Sequence, residues 1–348
     1  MLQGWRSQAC LGHETAVVIP VYFSARAAEE TIERLLRITL MDLHHCLPPE
    51  QVWAVVDGDL RSAAILRRVA QALAPDGAQG IQILVLPENR GKLGAMAEAM
   101  RAILREQPHV RWLAVMDNDA DHLATVLPQL VRAAGFLADV YGHDRVLAIG
   151  ARASRTRPMG WVRGELELLL DQLTLDALHY ALAQRGAVLD LSQCLSGATP
   201  DLNSGFKVYG RRLAELLFDR AEPVYATLSP ADYDRYGPET VTVVETALAG
   251  GVMGEVLRPT WDGQLTTSFG EYAVVEMYGE LLAWVWARLG VASSAAAQMF
   301  DNRRRGLALG TAAEGAELVG RLRAHALGRL ATHCGEPAPH ALPLLPFV

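Results

Sequence analysis

The sequence predicts an α/β fold in which a mainly parallel, twisted sheet is flanked by helices. The first 150 residues alternate short, β-branched apolar runs with longer segments that carry apolar residues at helical spacing. Repeated βα units of this kind build a parallel sheet with helices on both faces. Of the 348 residues, 51% are apolar and 20% are charged, which is sufficient for a full core and excludes global disorder.

The elements of this first half follow one another closely. The predicted strands are Thr15–Val21, Gln51–Val56, Ile81–Leu86, Trp112–Met116 and Arg145–Gly150, and the predicted helices are Ala25–Thr39, Leu60–Leu73, Leu93–Leu104 and Leu123–Ala138. Ligands of parallel sheets bind beyond the carboxyl ends of the strands. The polar residues that follow each strand are therefore the candidate site residues.

The second part of the chain is predicted to be irregular at first and then mostly helical. The patterns predict helices at Gly164–Arg185, from Arg211, at Glu239–Leu248, Glu271–Leu289 and Thr311–His333, and strands at Asn203–Tyr209 and Gly254–Thr260. We divide the chain into a domain at 13–269 with halves 13–150 and 151–269, a helical C-terminal extension at 270–335 and a proline-rich tail at 336–348.

Charge and cysteine usage exclude several classes of protein. A net charge of −7 argues against a nucleic-acid partner. The four cysteines lie far apart without a C-x-x-C pair, which fits a reducing compartment. No signal peptide and no uncharged apolar run of about 18 residues are found, so we expect a cytoplasmic protein. Of the 32 basic residues only Lys92 and Lys207 are lysines, and both lie in the motifs below.

Two carboxylates follow the fourth predicted strand as Asp117-Asn118-Asp119, with Asp121 as a further candidate ligand. Hard oxygen ligands suit Mg²⁺ or Mn²⁺, and such an ion usually bridges to phosphate. The alternative is a solvated acidic turn that caps the next helix.

A glycine-rich turn, residues 89–95 (N-R-G-K-L-G-A), follows the third strand. Glycines allow close backbone approach and a helix N-terminus attracts anions, so Lys92 could bind a diphosphate there. Leu86 stands where a P-loop needs glycine. Asp57, after the second strand, could accept hydrogen bonds from a base or ribose. The alternative for residues 89–95 is an ordinary βα turn, and for the segment of Asp57 it is a helix N-cap by Asp59.

Two further features remain open at this point. The polar segment 201–209 (D-L-N-S-G-F-K-V-Y) suggests the wall of a site. Glu245 lies in an otherwise mostly apolar helix and is either an exposed helix position or a site residue.

Taken in order, these motifs resemble glycosyltransferase family 2 with the Rossmann-like GT-A fold. The resemblance is strongest to the branch of dolichyl- and polyprenyl-phosphate hexosyltransferases, and it runs from about Thr15 to Phe269. The matching segments are I-P-V-Y at 19–22, Asp57, residues 89–95, the D-x-D of Asp117 and Asp119, G-A-R at 150–152, residues 201–209, Glu245, residues 255–259 and residues 267–269.

The resemblance implies a metal-dependent, inverting transfer of a hexose from a UDP- or GDP-linked donor to an acceptor hydroxyl or polyprenyl-type phosphate. It assigns Mn²⁺ or Mg²⁺ to Asp117, Asp119 and Asp121. It assigns donor binding to Pro20, Tyr22, Asp57, Asn89, Lys92 and Asp117, and acceptor binding to Arg152, Ser204, Gly205 and Lys207. A hydroxyl acceptor needs a general base, for which Asp201 and Glu245 are the candidates.

Two other readings stay open. A sugar nucleotidyltransferase shares the architecture but usually has a glycine-rich loop after the first strand, and Pro20–Ala28 contains no glycine. The second reading is a non-catalytic module that binds nucleotide sugars or a partner. The C-terminal helices, with Trp284 and Trp286, could serve a homodimer or peripheral association with the inner membrane face, although packing on the catalytic domain is the favoured expectation.

Overall fold

The computed structural model describes residues 12–74, 80–157, 159–195, 199–220, 222–260 and 273–339. The strands are β1 Thr15–Val21, β2 Val52–Val56, β3 Gln82–Val85, β4 Trp112–Val115, β5 Val146–Arg152, β6 Lys207–Gly210 and β7 Val252–Arg258. The helices are α1 Glu29–His44, α2 Leu60–Leu73, α3 Lys92–Glu106, α4 Leu127–Tyr141, α5 Trp161–Gln184, α6 Arg211–Ala214, α7 Pro230–Tyr236, α8 Thr240–Leu248, α9 Val274–Leu289, α10 Ser293–Arg304 and α11 Ala313–Cys334. The predicted α/β class is confirmed.

The strands form one sheet of seven in the order β3-β2-β1-β4-β6-β5-β7. The pairs β1–β2, β2–β3, β1–β4 and β5–β7 are parallel, whereas β6 is antiparallel to both β4 and β5. The chain that enters β6 therefore lies at the same edge of the sheet as the carboxyl ends of the parallel strands. This arrangement brings residues 203–206 to the predicted ligand edge.

A hydrophobic core covers each face of the sheet because helices pack on both sides. The core on one face is formed with α1, α2 and α4, and the core on the other face with α3, α5, α8 and the C-terminal helices. Trp284 and Trp286 of α9 are fully buried in the second core. These two indoles therefore pack within the chain and are not surface groups available to a membrane or a second copy.

Several predicted boundaries differ from the structure. The strand predicted over Asn203–Tyr209 is shorter, because residues 203–206 form a polar turn before β6. The strand predicted at Gly254–Thr260 begins and ends two residues earlier, as β7, and the helices α7 and α10 were not predicted. The segments 267–269 and 340–348, which include most of the predicted proline-rich tail, lie outside the described residues. Within the described residues, no helix is long and apolar enough to cross a membrane.

Candidate functional site

A pocket of about 1130 Å³ opens at the carboxyl ends of β1, β2 and β4. Its lining includes every predicted donor and metal residue, namely Pro20, Tyr22, Asp57, Asn89, Lys92, Asp117, Asp119 and Asp121. Of the predicted acceptor residues, Arg152 and Gly205 line it, whereas Ser204 and Lys207 do not. Met277, Tyr278 and Leu281 of α9 form part of the opposite wall, so the C-terminal extension contributes to the pocket.

Lys92 is the first residue of α3 and lies between two carboxylates. Its Nζ atom is 2.7 Å from Asp117 Oδ1 and 2.6 Å from Glu239 Oε1. Burial alone lowers the pKa of this ammonium, but the two carboxylates outweigh burial and raise the pKa above its ordinary value. Lys92 therefore carries a positive charge that anionic groups already hold in place.

Asp57 fixes the turn that leads into Lys92. Its carboxylate accepts hydrogen bonds from the backbone N–H groups of Arg90, at 2.7 Å, and Gly91, at 2.9 Å. Gly91 has a φ of +86°, a conformation that favours glycine, and its Cα lies against the backbone of Arg235. Burial raises the pKa of Asp57. The two oxygens predicted to contact a base thus also hold the glycine-rich turn.

His122 lines the pocket and holds the backbone of Asp117. The backbone N–H of Asp117 donates to His122 Nδ1 at 3.0 Å, and the imidazole stacks on Phe206 with ring centroids 5.0 Å apart. Burial lowers the pKa of His122 well below its ordinary value, so the ring is neutral at pH 7. His122 therefore orients Asp117 without adding a positive charge.

Asp119 lies close to the carboxylate of Asp117, and its Oδ1 accepts a hydrogen bond from the backbone N–H of Asp121 at 3.1 Å. Burial, and then the neighbouring Asp117, raise the pKa of Asp119. Lys92 instead lowers the pKa of Asp117 although burial opposes this. Asp121 lies 3.5 Å from the guanidinium of Arg258. Asp117, Asp119 and Glu239 thus share one lysine.

These carboxylates fit a divalent cation that a substrate helps to hold. Among the described residues, no group of three or more His, Cys, Asp or Glu side chains is arranged to bind a metal by itself. Mg²⁺ is usually bound by one or two carboxylates together with substrate phosphates, not by a complete protein cage. The Asp117–Asp119 pair, whose mutual repulsion a cation would relieve, satisfies that requirement.

Gly205 makes the close approach of β4 and the turn before β6 possible. A Cβ atom at this position would lie 2.6 Å from Asp117 Oδ2 and 3.2 Å from Lys92 Nζ. No real side chain tolerates the first distance, so any other residue would displace Asp117. Glycine at 205 is thus a requirement of the site's geometry.

The remaining predicted acceptor and base residues lie behind the pocket wall. Asp201 accepts hydrogen bonds from Arg152 Nε at 2.8 Å and Nη2 at 2.6 Å, and Arg152 also lies 2.8 Å from Glu167. The Ser204 hydroxyl donates to the Gly150 carbonyl at 2.6 Å. Lys207 is 1% exposed and donates to the Glu239 carbonyl at 2.9 Å.

Glu245 lies outside the pocket, on a helix face that meets α9. Its two carboxylate oxygens accept hydrogen bonds from Arg288 at 2.6 and 2.8 Å. Of the two alternatives that its sequence context left open, the structure favours a helix position with an ion-pair partner.

Sequence reasoning missed Glu239, Arg258 and Tyr278, which all line the pocket. Arg258 ends β7, so the rule of polar residues at strand ends would have found it if the strand had been placed two residues earlier. Glu239 follows Gly237-Pro238 at the start of α8, a position that resembles an ordinary helix beginning.

Comparison with known proteins bears on the family. No curated protein matches the chain. Among solved structures, the chain is similar to a cytidylyltransferase from Leptospira borgpetersenii serovar Hardjo-bovis (strain JB197), with 10% identity, coverage of 84% of this chain and 94% of that chain, and a TM-score of 0.37, which is too low to indicate a shared function. The sequence model of glycosyl transferase family 2 matches residues 16–192, just over half of the chain. This chain therefore belongs to glycosyl transferase family 2.

Proposed function

We propose that the protein transfers a hexose from a nucleotide-diphosphate sugar, UDP- or GDP-linked, in a reaction that depends on Mn²⁺ or Mg²⁺. The single observation that carries the proposal is the packing of Lys92, Asp117 and Gly205 at the carboxyl edge of the sheet. A lysine held by carboxylates at a helix N-terminus is suited to exchange one of them for a diphosphate.

The donor occupies the part of the pocket formed by the first four strands. Pro20, Tyr22 and Asn89 line its nucleotide end, and Asp57 holds the turn that presents Lys92. Asp119 and Asp117 would hold the cation, which would supply stabilisation of the negative charge on the leaving diphosphate.

The acceptor side of the proposal keeps both chemistries of the resemblance. A hydroxyl acceptor requires a base, and a polyprenyl-type phosphate does not. The apolar wall of Met159, Met277 and Leu281 suits an acceptor with an apolar part. Arg152 is the cation nearest this wall in the predicted acceptor set, and it is held by Asp201 and Glu167.

Thermal-shift measurements against UDP-, GDP- and dTDP-hexoses with Mn²⁺ test the proposal, followed by donor hydrolysis with the best ligand. We expect Asp119→Ala to lose at least about hundredfold in hydrolysis, because preorganised stabilisation of a leaving charge has that magnitude. Asp139→Ala, on the exposed face of α4, is the matched control. Full activity of Asp119→Ala, or of the wild type in EDTA, would refute the metal-dependent assignment.

A further inference from the structure

Glu239, a pocket carboxylate outside the predicted base pair, stands in direct contact with the donor lysine. We propose that Glu239 is the general base for a hydroxyl acceptor, and that Lys92 holds it until the donor diphosphate takes over the lysine. This inference rests on the proposed function and deepens it. It names a catalytic residue, an acceptor chemistry and an order of events.

Glu239 is anchored by its backbone and presents its carboxylate to the pocket. Its carbonyl accepts hydrogen bonds from the buried Lys207 at 2.9 Å and from Thr242 Oγ1 at 3.1 Å. The preceding Gly237 leaves no room for a side chain, since a Cβ would lie 2.5 Å from the Tyr233 carbonyl. The Glu239 side chain is 21% exposed and lines the pocket.

The other pocket carboxylates outside the proposed metal pair have fixed partners within the protein. Asp57 holds two backbone N–H groups, Asp121 faces Arg258, and Glu167 lies between Arg152 and Arg163. Glu239 differs because its cation, Lys92, is the group that the donor recruits. It is therefore the carboxylate whose release can be coupled to donor binding.

The coupling follows from the two contacts of Lys92. A diphosphate brings negative charge to the N-terminus of α3, where Lys92 already faces Asp117 and Glu239. As Lys92 turns to the diphosphate, Glu239 loses its ion-pair partner. The Glu239 carboxylate can then accept a hydrogen bond from the acceptor hydroxyl in place of Lys92, so the base is available only when a donor is bound.

The reaction step balances with these groups alone. The acceptor hydroxyl oxygen attacks the anomeric carbon, and the bond from that carbon to the diphosphate oxygen breaks. The electron pair of the broken bond leaves with the nucleoside diphosphate. The hydroxyl proton passes to the Glu239 carboxylate, which makes Glu239 a base of the ordinary kind.

A hydroxyl acceptor also agrees with the charges on the acceptor side. Arg152 and Arg163 share Glu167, and Arg152 has Asp201 as a second carboxylate. Arg258 faces Asp121. Each of these three arginines thus already has a carboxylate partner within the protein. An uncharged, hydroxyl-bearing molecule with an apolar part needs no further cation.

The test compares two nucleophiles on the nucleotide hexose that gives the largest thermal shift with Mn²⁺. Water must lose a proton as it attacks, whereas azide is already anionic and needs no base. We expect Glu239→Gln to lose at least about hundredfold in donor hydrolysis. We expect its formation of the glycosyl azide, measured by mass spectrometry, to stay within about threefold of wild type. Glu239→Asp, which keeps a carboxylate, should retain part of the hydrolysis.

Glu280→Gln is the matched control, because Glu280 lies on α9 and pairs with Arg329 away from the pocket. Hydrolysis by Glu239→Gln within threefold of wild type would overturn the inference. Loss of both the water and the azide reactions, with donor still bound, would overturn it as well, since Glu239 would then serve the donor geometry. A wild-type protein that neither binds nor cleaves any of the sugars would refute the proposed function itself.

Discussion

The proposed donor side of the pocket, around Lys92, Asp117 and Asp119, and the proposed acceptor side, around Arg152 and Glu167, differ in how their charges are balanced. On the donor side Lys92 contacts Asp117 and Glu239, Asp119 lies near the same lysine, and burial raises the pKa of Asp119. On the acceptor side Arg152 lies between two carboxylates, and its geometry with Asp201 is bidentate. Several carboxylates around one cation indicate where a ligand can bring charge of its own, and arginines held by two carboxylates indicate scaffold.

The same difference explains why the D-x-D motif predicted pocket residues better than the segment 201–209 did. The residues of the D-x-D motif face the pocket. In residues 201–209, by contrast, Asp201, Ser204 and Lys207 bond to other parts of the chain. Gly205 is the residue of that segment that shapes the donor side.

We expect the largest effect from Gly205→Ala, which tests the close approach of Gly205 to Asp117 and Lys92. In Gly205→Ala the new methyl group displaces Asp117 and Lys92, and a misplacement of about 1 Å can cost about hundredfold. We expect donor hydrolysis to fall by about that factor. Gly328→Ala, with no heavy atom within 4 Å of its Cβ, is the control and should gain about 0.5–1 kcal/mol of stability. An active Gly205→Ala would show that the close approach is not needed.

Substitution of the two lysines should have different consequences: at Lys92 for donor affinity, and at Lys207 for the pH dependence of stability. Lys92→Met removes a charged hydrogen-bond donor, worth about 1.5–3 kcal/mol, so donor affinity measured by calorimetry should fall about tenfold to hundredfold.

Burial lowers the pKa of Lys207 from 10.5 to about 8. The unfolded chain therefore binds more protons between these values, and stability rises with pH across this window.

Lys207→Met should abolish that rise in stability, measured by urea unfolding at pH 7.5 and 10. A rise of equal size in the variant would assign the pH dependence to another group. Loss of donor affinity in Lys207→Met, at a level similar to Lys92→Met, would contradict the contrast between the two lysines.

A smaller effect is expected from Asp119→Asn without metal. Burial and Asp117 raise the pKa of Asp119 to about 7, so the folded state holds its proton to higher pH than the unfolded state. Stability is then lost as pH rises from 3.8 to about 7, and above that window the charged group destabilises the fold. At pH 8 in EDTA, Asp119→Asn should melt about 2–4 °C higher than wild type. A lower melting temperature would mean that Asp119 is well compensated.

The smallest effect concerns the scaffold. Glu245 and Arg288 are 20% and 23% exposed, so Glu245→Gln should cost about 1 kcal/mol in the free energy of unfolding, measured with urea. Its donor hydrolysis should fall far less than that of Glu239→Gln. The reverse ranking would restore Glu245 as the base candidate and remove Glu239.

The donor side was predictable from the sequence because its residues follow strands directly. Asp57 and Asp117 come after β2 and β4, and Lys92 begins α3. The order of these residues along the sequence therefore places them at one edge of the sheet. The fold class followed from the same alternation.

The acceptor side was less predictable because tertiary contacts decide it. Glu239 reaches Lys92 across 147 positions of the chain, and Arg288 reaches Glu245 across 43. Nothing local distinguishes Glu239 from Glu245, since both are carboxylates at or near α8. Only the contact of Glu239 with Lys92 and the packing of α8 against α9 show which of them faces the pocket.

The position of β6 between β4 and β5 has a consequence for how the chain is made. β5 is synthesised before β6, so β4 keeps an open edge of buried residues until residues 207–210 leave the ribosome. An open apolar edge is a site for wrong pairing. A nascent chain that has completed β5 also lacks Gly205 and Glu239. The pocket is therefore finished late in synthesis, and a ligand of the pocket cannot assist the first half of folding.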